Sequence, residues 1–182
     1  MRTAPLPTLV VVSGPPASGK TTLAHALAGA IACPAVSRDE IKEGMVHAYG
    51  GGFEAGPGDQ LTVRTLPVFF EVLRVLAVAG ASVVAEAAFQ ERLWRQGLEP
   101  LLDLVELRVV QCAVDDEVAR ERLARVRPAH GDRSPAATAA LAGGPPFPDF
   151  ERLSIPAPSL VVDTTDGYSP GLAEIVAFVN RR

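Results

Sequence analysis

The chain has 182 residues, 48% of them apolar and 21% charged, which suits one domain with a sizeable core and excludes disordered and fibrous classes. A net charge of -4 argues against a broad grip on nucleic acid through backbone phosphates, while leaving room for a local basic pocket. Fifteen arginines stand against two lysines, Lys20 and Lys42, so the task of each lysine is the first question the sequence raises.

The first seven residues run straight into a strand-like segment and lack the apolar core and cleavage site of a signal peptide. No run reaches the ~18 apolar residues needed to cross a bilayer, so the expectation is a soluble, cytoplasmic protein without a membrane partner. Thr8–Ser13 (TLVVVS) is a short β-branched run ended by Gly14, the pattern of a buried strand. Thr21–Ala32, with Leu23, Leu27 and Ala30 at helical spacing, predicts a helix. Pro34–Ser37 predicts a second strand, a helix follows from about Asp39, and Gly50–Asp59 (GGGFEAGPGD) reads as a glycine-rich loop. Leu66, Phe69, Phe70, Leu73 and Leu76 predict a long helix with Pro67 in its first turn, where a missing N–H costs little, and Gly80 as its C-cap. Ala81–Ala85 is a third strand, and a weaker helix spans Gln90–Leu102, interrupted by Gly97 and Pro100. Val105–Val114 is a fourth strand, Asp115–Arg127 a helix, Leu160–Val162 a fifth strand and Gly171–Asn180 a closing helix.

Strands that alternate with helices imply right-handed crossovers, hence a three-layer α/β domain: a five-stranded, mostly parallel sheet with helices on both faces. Ligands of such sheets bind at the carboxyl ends of the strands, so the functional residues belong in the loops after them. The expectation is a single domain over 1–182. Pro128–Pro148, rich in Ala, Gly and Pro, would form most of a mobile lid over about 120–148, hinged at Gly131, Gly143 and Gly144; a plain surface loop is the alternative. Cys33 and Cys112 are too few for a disulfide framework and are expected as buried free thiols. Phe69, Phe70 and Trp94 read as core, Phe53 as a candidate lining of an acceptor pocket, and His25, His47 and His130 receive no role.

The chemistry is concentrated in Gly14-Pro15-Pro16-Ala17-Ser18-Gly19-Lys20-Thr21, which matches G-x-x-x-x-G-K-[ST] at every specified position and lies between a predicted strand and a predicted helix. Its glycines let successive backbone N–H groups converge on phosphate oxygens, and the helix adds its positive dipole end. Lys20 would reach the β- and γ-phosphates, Thr21 would ligate Mg²⁺, and Thr22 would extend the nucleotide contact. This is the signature of nucleoside-triphosphate binding on a P-loop NTPase fold. The guanine-reading N/T-K-x-D tetrapeptide of regulatory GTPases does not occur, and 182 residues leave little room for the extra subdomain of an AAA-type motor.

The loop is followed within about 20 residues by Ser37-Arg38-Asp39-Glu40-Ile41-Lys42, and late in the chain by the arginine-rich helix Asp115–Arg127. In this layout the chain resembles the small P-loop kinases, nearest to the set of polynucleotide kinases, chloramphenicol phosphotransferases and zeta toxins. The resemblance implies that Asp39, at the end of the second strand, contacts the acceptor hydroxyl and serves as its base. On physical grounds alone a carboxylate there can face the γ-phosphate and orient a hydroxyl, or can simply stabilise the start of a helix. Arg38 could steady an anionic substrate or pair at the surface, and Lys42 reads as part of a solvated face.

Val83-Val84-Ala85-Glu86 is an apolar run ended by an acid, the layout of a carboxylate held near Mg²⁺ or substrate. Asp163, after Val161-Val162, competes for that task. Related kinases more often have Asp followed by a small polar pair, whereas Ala87-Ala88 here disfavours a polynucleotide acceptor. In the helix Asp115–Arg127, Ala119, Leu123 and Val126 make the buried stripe, and Asp116–Arg120 and Glu121–Arg125 are spaced for i,i+4 pairs. The resemblance gives the R-x-x-R arrangement, matched by Arg122 and Arg125, one arginine at the adenine and others at the phosphates. Arg122 is taken for the nucleotide and Arg125 for the transferred group, while spacing leaves the choice among Arg122, Arg125 and Arg127 open.

The sequence thus predicts an ATP- and Mg²⁺-dependent kinase acting on a hydroxyl of a small-molecule or nucleotide-like acceptor. Lys20, Asp39 and Arg125 would be catalytic, residues 14–22 with Arg122 would hold the nucleotide, Arg38, Asp39 and Glu86 would meet the acceptor, and Thr21 and Glu86 the metal. A polynucleotide 5′-hydroxyl kinase and a zeta-toxin-like nucleotide-sugar kinase are the enzymatic alternatives, and an ATP-binding regulator without acceptor chemistry is the alternative of another class. Neither acceptor nor oligomeric state is legible.

Overall fold

The computed structural model describes residues 5–49, 59–88, 91–130 and 155–181. The expected hinges Gly131, Gly143 and Gly144, most of the expected lid and Phe53 lie outside them, as do the side chains of Val126 and Arg127.

Five strands, β1 (Thr8–Ser13), β2 (Ala35–Ser37), β3 (Val83–Glu86), β4 (Glu106–Ala113) and β5 (Ser159–Asp163), form one sheet in the order β2-β3-β1-β4-β5. Every neighbouring pair is parallel. The helices are α1 (Lys20–Ala30), α2 (Arg38–Tyr49), α3 (Gln60–Val78), α4 (Glu91–Leu98), α5 (Asp116–His130) and α6 (Leu172–Val179).

The two-residue alternation of a strand divides β1 between two cores. Leu9 and Val11 pack with Phe69, Leu73 and Ala77 of α3 and with Trp94 and Leu98 of α4. Val10 and Val12 face Leu23, Ala24, Leu27 and Ala28 of α1 and Ile175 and Val179 of α6. Each fully buried aliphatic side chain is worth about 1.5–3 kcal/mol, so these two layers fix the centre of the sheet and α1 beside it. As expected, Phe69, Phe70 and Trp94 are packing residues: Trp94 meets Phe69 edge-on at 5.7 Å and Phe70 at 5.4 Å.

Three local expectations are corrected. Pro67 lies well inside α3, which starts at Gln60 with Asp59 as its N-cap, accepting from the Thr62 amide at 2.7 Å. The buried stripe begins with Leu61 and Thr65, and polar Thr65 hides the periodicity; its hydroxyl instead donates to the Leu61 carbonyl at 2.6 Å. Pro67 and Val63 are both exposed, so the carbonyl that loses its helical donor is open to water. Gly97 does not interrupt α4 but lies inside it, and glycine is needed there because a Cβ would overlap the Phe70 ring. The arginine helix α5 runs past Arg127 to His130. Gly80 does close α3, with its amide bonded to Ala77 and that of Ala81 to Leu76.

Cys112 is buried as expected, but Cys33 is only partly buried, since it follows the end of α1 rather than a core strand. Among the described residues, no helix is long and apolar enough to cross a membrane.

Candidate active site

The phosphate loop occupies the turn from β1 to α1, at the carboxyl edge of the sheet. Gly19 is the N-cap of α1 at φ 72°, a conformation that favours glycine. Gly14 is required by crowding: a Cβ would come within 2.7 Å of the Cys112 carbonyl and of Ser18 Oγ. The Ser18 amide turns back to the Pro15 carbonyl at 3.2 Å, and Leu23 N bonds to Gly19 O at 3.0 Å, closing the first turn of α1. Ser18 is fully buried and its hydroxyl has no partner among the described residues.

Parallel register carries Glu86 to this loop. At the end of β3 it lies between Val12 of β1 and Ser37 of β2. Its carboxylate is 1% exposed, accepts from Ser37 Oγ at 2.7 Å and Thr21 Oγ1 at 3.2 Å, and lies 4.0 Å from Lys20 Nζ. The ammonium also donates to the Pro15 carbonyl at 3.1 Å. A buried carboxylate needs such partners, since leaving it unpaired in a low-dielectric site is costly. Asp163 belongs elsewhere: it is bonded to the Thr165 amide at 2.8 Å, which holds its carboxyl below the usual range. Ser37 has no role in the sequence pattern alone; its signal is its place as the last residue of the strand next to the one ending in Glu86.

A cleft of about 390 Å³ opens beside the loop, lined by Ala17, Gly19, Lys20, Thr21, Thr22, Arg122 and Arg125. Behind its Thr21 wall, the Thr21 hydroxyl and the buried Glu86 carboxylate bring hard oxygen donors together, which suits Mg²⁺, a cation that commonly takes one or two protein ligands and completes its shell with phosphate oxygens and water. Among the described residues no cluster of three His, Cys, Asp or Glu could hold a metal unaided, so a cation here would depend on the nucleotide.

Behind the loop, Cys112 of β4 is 4% exposed. Burial pushes its thiol from an ordinary 9.0 up to about 12, with the Lys20 ammonium pulling against that and the Glu86 carboxylate adding to it. It is a packing thiol and not a nucleophile.

The two arginines of α5 that reach the cleft do so differently. Arg122 donates to the carbonyls of Ala17 at 3.3 Å, Thr164 at 2.7 Å and Thr165 at 3.1 Å, tying α5 to both the phosphate loop and the turn after β5. Thr164, which the sequence reading missed, is 3% exposed and donates to Ser18 O and Ala113 O. Arg125 is 79% exposed and pairs with Glu121 at 3.4 Å, the expected i,i+4 contact. In the buried stripe Ala119 is fully covered and Leu123 half-covered.

On the other side of the cluster, Arg38 and Asp39 open α2 directly after Ser37. Asp39 is 71% exposed and accepts from Arg38 at 3.1 Å. Arg38 also donates to the Thr62 carbonyl at 3.4 Å, and its buried Nε has no partner among the described residues. Asp39 therefore adjoins the Glu86 cluster through Ser37 rather than through its own bonds. Lys42 is not on a solvated face: Nζ lies 2.8 Å from Asp59 Oδ2, with Lys42 24% and Asp59 8% exposed. Glu40 reaches back to His25 of α1 at 2.7 Å.

Comparison with known proteins agrees with this fold. The family AAA_33, described as an AAA domain, matches residues 9–144. A search of curated proteins finds no match. Among solved structures, a provisionally assigned kinase from Chloroflexus aurantiacus is 28% identical with a TM-score of 0.78, covering 97% of this chain and 96% of that one. A gluconokinase from Sinorhizobium meliloti is 20% identical with a TM-score of 0.58, covering 97% and 91%. The Mycobacterium tuberculosis APS kinase, solved with AMPPNP and APS, is 16% identical with a TM-score of 0.66, covering 98% and 100%. The AAA description fixes the P-loop fold and brings no motor activity with it. The chain belongs to the AAA_33 family and is a P-loop, kinase-like domain of the small-kinase type.

Proposed function

We propose that the chain is a phosphotransferase that moves the γ-phosphoryl group of ATP to a hydroxyl of a small-molecule or nucleotide-like acceptor. The observation that carries this reading is the convergence of Lys20, Thr21 and Ser37 on buried Glu86, with Asp39 two residues beyond Ser37 at the start of α2.

In this reading the backbone of residues 14–19 and Lys20 hold the phosphates, with Thr22 and Arg122 extending the nucleotide contact. Thr21 and Glu86 would hold Mg²⁺, which would offset the negative charge of the phosphates. Asp39 accepts the proton of the acceptor hydroxyl as its oxygen bonds to phosphorus and the bond to the ADP oxygen breaks. Arg38 stands beside the acceptor. Arg125, long, exposed and lining the cleft, supplies positive charge to the transferred group, where positioning and charge provide most of the acceleration. With α5 as its base, a lid reaching to about residue 148 would complete a single domain and exclude water.

The test is Asp39→Asn, measured with γ-labelled ATP against a panel of gluconate, a neutral hexose, a nucleotide sugar and a 5′-hydroxyl oligonucleotide. We expect transfer to fall about 10²–10⁴-fold, with ATP affinity unchanged within a few-fold. Undiminished transfer would overturn the role of Asp39. ATP binding with no phosphorylated product from any acceptor would favour a nucleotide-dependent regulator, a reading that the exposure of Asp39 supports.

A further inference from the structure

The helix that carries Asp39 is held unlike the rest of the fold. None of the 12 side chains of α2 is buried, and Ile41 is only partly covered against the core. A helix with so little apolar anchorage leans on its polar contacts for its position, and those of α2 differ in quality. The His25–Glu40 pair is about half exposed on both sides. Thr65 Oγ1 makes a long contact to Met45 Sδ at 3.6 Å. The Lys42–Asp59 pair is shorter, 2.8 Å, and its carboxylate is 8% exposed.

Asp59 is also the N-cap of α3, accepting from Thr62 N at 2.7 Å and Thr62 Oγ1 at 3.0 Å. The Thr62 carbonyl in turn receives Arg38, whose other arm holds Asp39. Asp39, Arg38, Thr62, Asp59 and Lys42 thus form one chain of contacts from the proposed base to the first turn of α3 and back to α2. The body of α3 is fixed by Phe69, Leu73 and Ala77 in the core. Besides the long Thr65–Met45 contact, the polar route from that fixed body to the base passes through the turn that Asp59 organises.

We infer that Lys42 is a positioning residue: its ion pair with Asp59 sets the placement of α2, and with it Asp39 and Arg38, against the phosphate loop. Lys42 touches neither nucleotide nor acceptor in this role. It acts through geometry, where about 1 Å of misplacement can cost a hundredfold in rate. The inference rests on the phosphotransferase reading above.

The experiment uses the full chain with Mg²⁺ and ATP, and as acceptor the panel compound with the highest rate or, if none is used, water, measured as basal ADP release. For Lys42→Met we expect kcat to fall about 10–100-fold while KM for ATP stays within twofold. Lys42→Arg, which can still meet Asp59, should recover most of that loss. Asp59→Asn keeps an oxygen for the Thr62 amide but loses the charge; it should lower kcat similarly, and combining it with Lys42→Met should add little. If Lys42→Met lowers thermal stability and leaves kcat unchanged, the pair is merely structural and the inference is wrong. Additive effects, or a rise confined to the acceptor KM, would make Lys42 a substrate contact instead. Should Lys42→Met not fold, Asp59→Asn alone decides, by the same split between kcat and KM. If the unaltered chain releases no ADP under any of these conditions, or Asp39→Asn is fully active, the phosphotransferase reading fails and this inference falls with it; an active wild type with an indifferent Lys42 rejects the inference alone.

Discussion

Lys20 and Thr21 open a helix whose Leu23, Ala24, Leu27 and Ala28 are all buried, whereas Arg38 and Asp39 open one with no buried side chain. The nucleotide side of the site is part of the hydrophobic core, and its reactive groups are the first turn of an element that packing holds rigid. The proposed acceptor side is a surface helix tied on largely by ion pairs and hydrogen bonds. The contrast fits the two tasks. A phosphate cradle serves any P-loop protein and gains from being built into the sheet, while the acceptor half must differ between kinases and is best carried where the core does not dictate its residues.

This contrast can be broken most severely at Gly14. Alanine there would place a Cβ against the Cys112 carbonyl and Ser18 Oγ, and the Cys112 backbone cannot yield cheaply. We expect Gly14→Ala to lose nucleotide affinity by about a hundredfold or more in calorimetric titration, because the cradle is a backbone structure and a small displacement misaligns every N–H. An effect on the acceptor alone would show that the two halves are less separate than the packing implies.

A smaller and more selective effect is expected from the thiols. Cys112, in the rigid half, should resist alkylation at pH 8, while partly buried Cys33 should react slowly: one thiol in the native chain and two in urea. The linkage has a definite sign. The folded thiol titrates near 12 and the unfolded one near 9.0, so the stability from keeping it protonated is complete below pH 9 and is lost as pH rises from 9 towards 12. A midpoint of chemical unfolding that does not fall across that window would contradict the burial of Cys112 against the loop.

The smallest effect belongs to His25→Ala. Its pair with Glu40 is solvent-exposed on both sides, and such pairs contribute about 0.2–1 kcal/mol at most. The thermal midpoint should move by no more than about 2–4 °C and transfer should be unaffected. A loss of activity as large as that expected for Lys42→Met would mean that α2 is positioned from α1 instead of α3.

Much of the nucleotide half was readable from the chain because its determinants are contiguous. Gly14 to Thr21 form one uninterrupted motif, and the β-branched runs of β1 and β3 are short enough to be strands and too apolar to be anything but buried. Alternation of strands and helices likewise determined a parallel three-layer fold. The start of α3 was less legible, since Thr65 breaks the apolar stripe and Pro67 mimics a helix start. What only the tertiary structure decided is pairing at a distance. Nothing in the sequence says that Glu86 outcompetes Asp163; the parallel register does, by placing β3 between β1 and β2 and bringing Ser37, Thr21 and Lys20 to its carboxylate. The two lysines show the same division. Lys20 is explained by its immediate neighbours, because a compact ammonium fits a loop that a planar guanidinium would crowd. Lys42 looked like surface and is a half-buried tether, because its partner Asp59 lies 17 residues on and meets it only when α2 and α3 pack together. Local conformation follows from spacing along the chain, whereas the strength of a charge depends on what the fold removes from water around it.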